Sequence, residues 1–380
     1  MELNEIRRDI DAIDDELVRL FARRMACSAE IARTKQQTGR AIRDHARERA
    51  IVNRLTAAAG DELAPYVRAL YAQVFDLSRS YQSSQWRRES PLAGQIARAI
   101  EQTAGRRLPE HALVACQGTE GAYAQQACER LFPYPDILYF DRFDGVFSAV
   151  ERGMCQYGIL PVENSTAGSV TQVYDLMEKH QFYIVGAHRL RIQHRLMRKN
   201  GASTTPIKEI VSHEQALRQC SGFFAAHPEI KATPMENTAV AATFVAGSDR
   251  DDLAVIASKA CAELYGLSVV GEEISNTPNN YTRFICISRR LEIYPQARKL
   301  SLMLNLAHEP GALNAVVSRL ALAGINLLKL ESRPIPGREF EFRFFFDMAA
   351  SVFDPDVVRL LRELESYCER FTFLGCYDEQ

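Results

Sequence analysis

The sequence predicts a multidomain protein of mixed class: an all-helical domain over residues 1–90, a two-lobed α/β domain over 111–290 and an α+β domain over 298–380. Three observations lead there. The stretch up to about Trp86 keeps a helical period and contains proline only at Pro65. The middle alternates short apolar runs with helical ones. The last stretch reads strand, helix, strand, strand, helix, strand, which is the ferredoxin-like order. At 380 residues the chain exceeds what one ordinary core serves.

Composition narrows the class. An apolar fraction of 47% and a charged fraction of 25% are those of a globular protein. A net charge of -2 leaves no electrostatic footprint for nucleic acid or an acidic membrane surface. The opening "MELNEIRRDIDAIDDEL" is charged at once and reads as no signal peptide, and no run of ~20 apolar residues predicts a membrane span. The nine cysteines are scattered without a C-x-x-C, and the eight histidines have no ligand-like spacing. Neither a metal site nor a cofactor is expected, and reduced thiols fit a cytoplasmic location.

In the first region Leu3, Ile6, Ile10, Ile13, Leu17 and Leu20 recur in steps of three and four. Nothing breaks this helix before Gly39, so it reaches about 50 Å at ~1.5 Å per residue. Two shorter helices, near 43–58 and 64–84, are too short to cover it, and a dimer of long helices is expected. Arg24 falls on the apolar seam and needs either a carboxylate of a neighbouring helix or an anionic ligand. Lys35 lies three turns on, nearly on the same face. "RDHARER" adds Asp44, Arg47 and Glu48, and Ser78 and Gln82 continue the apolar row of Leu70 and Val74. Cations, carboxylates and amides along a helical interior suit a small dicarboxylate.

On "IRRDIDAIDDEL", "ARR", "IARTK", "RDHARER" and "SRSYQ" the region resembles the all-helical chorismate mutases. The resemblance implies a Claisen rearrangement of chorismate to prephenate, which needs no nucleophile or proton transfer. Arg7, Arg24, Lys35 and Arg47 would hold the carboxylates and ether oxygen, with Arg7 supplied by the partner subunit. Asp44 and Glu48 would bind the ring hydroxyl and ether side, and Ser78 and Gln82 would complete the site.

"RRESPLAG" and "EQTAGRRLPEH" read as a linker. Beyond it, apolar runs such as "ALVAC", "YGILPV" and "LAVIAS" each precede a helical segment, and the pattern changes near "RLRIQHRLM", as two lobes would require. Ligands sit beyond the carboxyl ends of strands in such sheets. Four polar loops lie there. "CQGTEGAYA" offers Gly118 and Gly121 before a helix; "PVENSTAGS" offers Glu163, Asn164, Ser165 and Thr166; "VSHEQAL" offers Ser212 and His213; "NNYTRFICI" offers Thr282, Arg283 and Phe284. Each alone is equally turn or cap chemistry. Together they resemble prephenate dehydratase, which implies a periplasmic-binding-protein-like fold. The implied reaction is loss of carbon dioxide and water from prephenate to give phenylpyruvate. The resemblance makes Thr282 the essential residue, read here as a donor to the leaving hydroxyl. The ultimate acid is not visible in the sequence, with Glu163 and His213 as candidates; Asn164, Ser165, Thr166 and the Gly118–Gly121 turn would bind carboxylates, and Ser212 and Phe284 would also line the site. Arg283 is either an anion ligand or a structural ion pair.

In the last region "HEPGAL" holds Pro310, Gly311, Ala312 and Leu313, and "LESRP" holds Glu331, Ser332, Arg333 and Pro334. These loops resemble those of the ACT domain, which implies phenylalanine binding and feedback. The sequence therefore points to a bifunctional enzyme of phenylalanine biosynthesis, a homodimer or higher homo-oligomer. Its alternatives are a non-catalytic amino-acid sensor, or a dehydratase with an inactive mutase domain.

Overall fold

The computed structural model describes residues 3–38, 44–85, 90–201 and 205–380. Residues 86–89 of the expected linker lie outside these. The chain divides into two compact units. One holds residues 1–93 with 306–324 and 354–371; the other holds 94–305, 325–353 and 372–380.

The first unit is helical. α1 (Leu3–Thr38) is the expected rod of 36 residues. α2 (His45–Gln85) is broken at Gly60, whose φ of 77° and ψ of 165° leave the helical region. The two expected shorter helices therefore meet at one residue, and Pro65 lies close behind the break, where a missing N–H costs little. Asp44 starts α2: its carboxylate accepts from the Arg47 amide at 3.0 Å, and its carbonyl from the Glu48 amide at 3.0 Å. The apolar row of α1 is uncovered, with exposures from 40% at Ile6 to 63% at Leu3. The helices Ala312–Leu322 and Pro355–Tyr367 of the last region belong to this unit, where Ser80 donates to Glu363 at 2.6 Å.

The linker reading needs correction. Pro91–Thr103 is a helix, α3. Pro91 stands at its first position behind Ser90, whose carbonyl accepts from the Ala93 amide at 3.1 Å. Leu92, Ile96 and Ala99 recur at helical spacing and are buried.

The second unit carries three sheets. The chain runs β1 (His111–Gln117), α4 (Tyr123–Leu131), β2 (Tyr134–Phe140), α5 (Phe143–Glu151), β3 (Tyr157–Asn164), β4 (Gly168–Ser169), α6 (Thr171–Met177) and β5 (Tyr183–Arg191). It then crosses to a second sheet: β6 (Arg195–Lys199), β7 (Glu209–His213), α7 (Glu214–Gln219), α8 (Ser221–Ala226), β8 (Lys231–Met235), α9 (Thr238–Gly247), β9 (Leu253–Ala257), α10 (Lys259–Tyr265) and β10 (Leu267–Glu273). β11 (Tyr281–Ser288) returns to the first. The orders are β2-β1-β3-β11-β5, with β4 beside β3, and β10-β6-β9-β7-β8. The crossing falls at Ile192–His194, within the stretch where the sequence pattern changes. The return passes beside it, the Ile192 amide donating to the Asn280 carbonyl at 2.8 Å.

The remaining chain is β12 (Lys299–Asn305), α11 (Ala312–Leu322), β13 (Asn326–Pro334), β14 (Phe342–Ala349), α12 (Pro355–Tyr367) and β15 (Arg370–Tyr377). Its strands form a sheet of order β13-β14-β12-β15. Met303, Phe345, Leu374 and Tyr377 of that sheet share one buried cluster with Leu160, Val162, Tyr174 and Ile285. The sheet is thereby packed into the α/β unit rather than joined to it by a tether.

Candidate functional site

β1, β2 and β3 run parallel, whereas β11 runs antiparallel to β3. The start of β11 thus lies against the carboxyl end of β3, and Thr282 faces Asn164 across the ladder. Side chains alternate along a strand, so Thr282 and Phe284 turn to one face and Arg283 to the other. Thr282, Phe284 and Asn164 line a cavity of about 690 Å³ between the two sheets, a size that holds a small metabolite. His213 at the end of β7 and Gln215 and Gln219 of α7 line it from the second lobe, and Tyr123, Gln172, Asp175 and His194 also belong to its wall.

Asn164 is the hub. It is 5% exposed, and its amide nitrogen donates to Thr282 Oγ1 at 2.9 Å and Asn280 Oδ1 at 2.7 Å. Its oxygen accepts from Thr166 Oγ1 at 2.7 Å and from the amides of Thr166 and Ala167 at 3.0 and 2.9 Å. Thr282 Oγ1 is an acceptor in this network, so its own proton remains for a ligand in the cavity. Gln219 ties the lobes together. It donates to Thr166 Oγ1 at 2.9 Å and accepts from Asn280 at 3.0 Å, and its oxygen stands 2.8 Å from His194 Nε2. With its oxygen as acceptor, that contact makes Nε2 the protonated nitrogen of His194. His213 caps α7 by accepting from the Gln215 amide at 3.3 Å, and burial lowers its pKa, so it stands neutral at pH 7.

Several expected ligands sit elsewhere. The Gly118 amide donates to the Phe140 carbonyl at 2.9 Å and the Gly121 amide to Gln125 at 2.7 Å, so neither is offered to a carboxylate. Gly121 has φ 87°, and a Cβ there would meet Cys261 Sγ at 3.0 Å, so its glycine answers a packing need. Ser165 is spent on the loop before β11, donating to the Asn279 carbonyl at 3.0 Å and accepting from the Tyr281 amide at 2.9 Å. Thr166 serves Asn164, as above. Ser212 is fully buried and donates to the Ile256 carbonyl at 2.5 Å.

Glu163 and Arg283 turn away from the cavity by strand alternation. Arg283 meets Asp347 at 2.6 Å, Glu379 at 3.1 Å and the Tyr377 hydroxyl at 3.1 Å. Burial works against its charge, but Tyr377, Asp347 and Glu379 prevail and raise its pKa. Glu163 lies 3.1 Å from Lys329 and 3.7 Å from Arg283. Arg283 is therefore the structural ion pair of the two readings, and Glu163 is withdrawn as the acid facing substrate.

In the helical unit Arg24 is half-buried; it donates to Ser78, and its guanidinium carbon lies 5.6 Å from the Phe75 ring centroid. Its bonded partner is a hydroxyl, which leaves its charge for an anion. Ser78 in turn donates to the Val74 carbonyl at 2.8 Å. Glu48 pairs with Arg79 at 2.5 Å, and Arg79 also meets Asp76. Burial opposes the Arg79 charge, but those two carboxylates raise its pKa. Gln82 is 7% exposed, and its side-chain oxygen has no hydrogen-bond partner among the described residues. Lys35 is half-buried and Arg47 exposed. Arg7 is exposed and stands 17 residues before Arg24 on the same straight helix, about 25 Å away at ~1.5 Å per residue. One chain does not bring the two together.

Sequence reasoning missed Gln219, Asn280, His194 and Arg79. Asn280, His194 and Arg79 lie in "NNYTRFICI", "RLRIQHRLM" and "SRSYQ", and Gln219 stands two residues beyond "VSHEQAL". What it lacked was the crossing of the chain between sheets, which brings three of them to one point. Pro310 and Gly311 lead into α11, which Ala312 and Leu313 begin, and Gly311 takes φ 87° as the cap. Ser332 and Pro334 are exposed at the end of β13, while Glu331 accepts from Ser169 at 2.6 Å and Arg333 binds Asp175. Among the described residues no cluster suited to a metal is present, and no helix is long and apolar enough to cross a membrane.

Comparison with known proteins finds two families. The chorismate mutase type II family matches residues 6–83 and the prephenate dehydratase family residues 114–292. A bifunctional chorismate mutase/prephenate dehydratase of Escherichia coli K12 is 30% identical over 99% of this chain and 96% of its own. An arogenate dehydratase/prephenate dehydratase of Arabidopsis thaliana is 34% identical over 70% of this chain and 72% of its own. Among solved structures, a prephenate dehydratase from Arthrobacter aurescens in complex with L-Phe is 27% identical, with a TM-score of 0.64 over 70% of this chain and 90% of that one.

Proposed function

The chain belongs to the bifunctional chorismate mutase/prephenate dehydratase family, and from that membership we propose how its residues divide the two reactions. It rearranges chorismate to prephenate and converts prephenate to phenylpyruvate, within phenylalanine biosynthesis.

In the mutase domain Arg24, Lys35 and Arg47 hold the two carboxylates and the ether oxygen. Ser78 and Gln82 complete the site, and Arg7 comes from the partner subunit. Acceleration comes from fixing the reactive conformer and stabilising charge on the departing oxygen. The uncovered apolar row of α1 and the 17-residue separation of Arg7 from Arg24 support a homodimer joined along α1. Glu48, held by Arg79, is the acceptor for a substrate hydroxyl.

In the dehydratase domain, of periplasmic-binding-protein-like architecture, prephenate occupies the cavity with its departing hydroxyl at Thr282. The observation that carries this reading is the Asn164–Thr282 bond, which fixes the hydroxyl oxygen and leaves its proton facing the cavity. Loss of the ring carboxylate as carbon dioxide supplies the electron pair that aromatises the ring, and the leaving hydroxyl departs as water with the proton of Thr282 Oγ1, which is replaced from solvent. Phe284 packs beside the ring. His213, neutral at pH 7, is a hydrogen-bonding wall rather than a standing acid.

The third region has the ferredoxin-like element order, and we read it as an ACT domain sensing phenylalanine at Pro310–Leu313, the turn and first residues of α11. The test of the whole reading is incubation of purified protein with chorismate and, separately, with prephenate. Phenylpyruvate is expected from both, and inhibition by millimolar phenylalanine is expected in the second. Phenylpyruvate from neither defeats the reading; from prephenate alone, it defeats the mutase half.

A further inference from the structure

The ion pair between Arg333 and Asp175 joins β13 to the wall of the dehydratase cavity. Arg333 Nε and Nη2 donate to the two carboxylate oxygens of Asp175 at 2.9 and 3.0 Å, a two-pronged pairing. Alone, a partly exposed pair is worth little. What distinguishes this one is where Asp175 stands. α6 turns Gln172, Asp175 and Leu176 into the cavity, while Val173, Tyr174 and Met177 are buried on its other side, with Tyr174 edge-on to Phe345 of β14 at 4.9 Å. Asp175 lies at the border of the two faces, within reach of substrate on one side and of β13 on the other.

Charge makes that position matter. The cavity wall holds four carboxylates, Asp141, Asp144, Asp175 and Glu236, against one guanidinium, Arg142, with His194 and His213 beside them. Asp144 is met by His180 Nε2 at 3.3 Å. The substrate assigned above is a dicarboxylate, so each uncompensated wall carboxylate opposes its binding. β13 also anchors the chain leading into α6. Lys329 donates to Ser169 Oγ at 2.8 Å, Ser169 donates to Glu331 at 2.6 Å, and Arg343 of β14 meets Glu178 at 2.5 Å beyond the helix. Lys329, Glu331 and Arg333 share one face of β13 by strand alternation.

We propose that Arg333 is a positioning residue of the dehydratase cavity: by binding Asp175 in two-pronged fashion it compensates a wall carboxylate and holds α6 so that a dicarboxylate substrate is admitted. This rests on the assignment of prephenate to the cavity. Arg333 acts through Asp175 and touches no reacting atom. Its effect belongs to substrate binding more than to the chemical step.

The test compares R333A, R333K, D175N and the double variant R333A/D175N in the full-length protein, with chorismate mutase activity as an internal check of folding. R333A is expected to raise KM for prephenate about tenfold with kcat within about twofold, and R333K to fall between it and the parent. D175N removes the charge that needs compensation, so the double variant should regain the D175N value. A double variant as impaired as R333A, or R333A with an unchanged KM, overturns the proposal. Absence of phenylpyruvate from the unsubstituted protein is a separate result, and it removes the substrate assignment and this inference together.

Discussion

The two sites are built in opposite ways. In the helical unit Arg24, Lys35 and Glu48 are half-buried and Arg47 is exposed, and the apolar row of α1 is uncovered. In the α/β unit Asn164, Asn280 and Thr282 are buried, and with Thr166 and Gln219 they bond to one another. The contrast follows the chemistry. A Claisen rearrangement needs cations placed for two carboxylates and an ether oxygen. A dehydration needs one hydroxyl held still, which takes a network that spends most of its members on each other. Asn164, Thr166, Asn280 and Gln219 are that expenditure.

The largest effects should separate the sites completely. Arg24→Ala is expected to lower mutase kcat by about 10²–10³ while prephenate turnover stays within about twofold, and Thr282→Ala to do the reverse. Steady-state assays with each substrate measure both. A variant that damages both reactions equally would break the division and point to a folding effect. Next in size, Asn164→Ala should lower dehydratase kcat by roughly 10–100-fold although Asn164 need not touch the leaving group, because Thr282 loses its anchor. Leaving dehydration at the parent rate, it would show that the network is packing alone.

How far the sequence revealed these sites depends on what set each position. Arg24 was legible because a cation interrupts an apolar row, a pattern local to one helix. Thr282 and Asn164 were legible as polar residues at strand ends. Ser165, Thr166, Gly118 and Gly121 looked the same, yet the structure uses them to brace loops. Which polar loop atom faces the cavity depends on which strand lies beside it, and β11 returns from a second sheet to pair with β3. Gln219 and Asn280 were hidden for the same reason. α3 was missed because a Ser-Pro start beside Arg and Gly composition reads equally as a linker and as a helix cap. The order of the third region was legible throughout, since each element carries its own period. The packing of its sheet against Arg283 was not.

A third way to sharpen the comparison is to disturb assembly. Leu17→Glu places a charge on the uncovered row of α1, where a second copy is expected to pack. It should shift the protein to smaller species in sedimentation and lower mutase activity about tenfold or more at dilute concentrations, with dehydration within about twofold. A site completed across subunits loses activity on dilution; a cavity enclosed within one chain does not. Parallel loss of both activities would mean that the cavity too depends on the assembly.

The smallest expected effect is the most discriminating for the dehydration step. Glu163 adjoins Asn164 in sequence, but strand alternation turns it toward Lys329 and Arg283. With 37% of its side chain exposed, its pairs contribute little. Glu163→Gln should therefore change dehydratase kcat by less than about threefold. Steady-state turnover of prephenate measures it. A general acid gives up its proton in the step it assists, so if Glu163 filled that role the glutamine variant would lose roughly 10²–10⁴-fold in rate. A fall of that size would return Glu163 to the chemistry and require the β3 end to rotate toward the cavity when substrate binds.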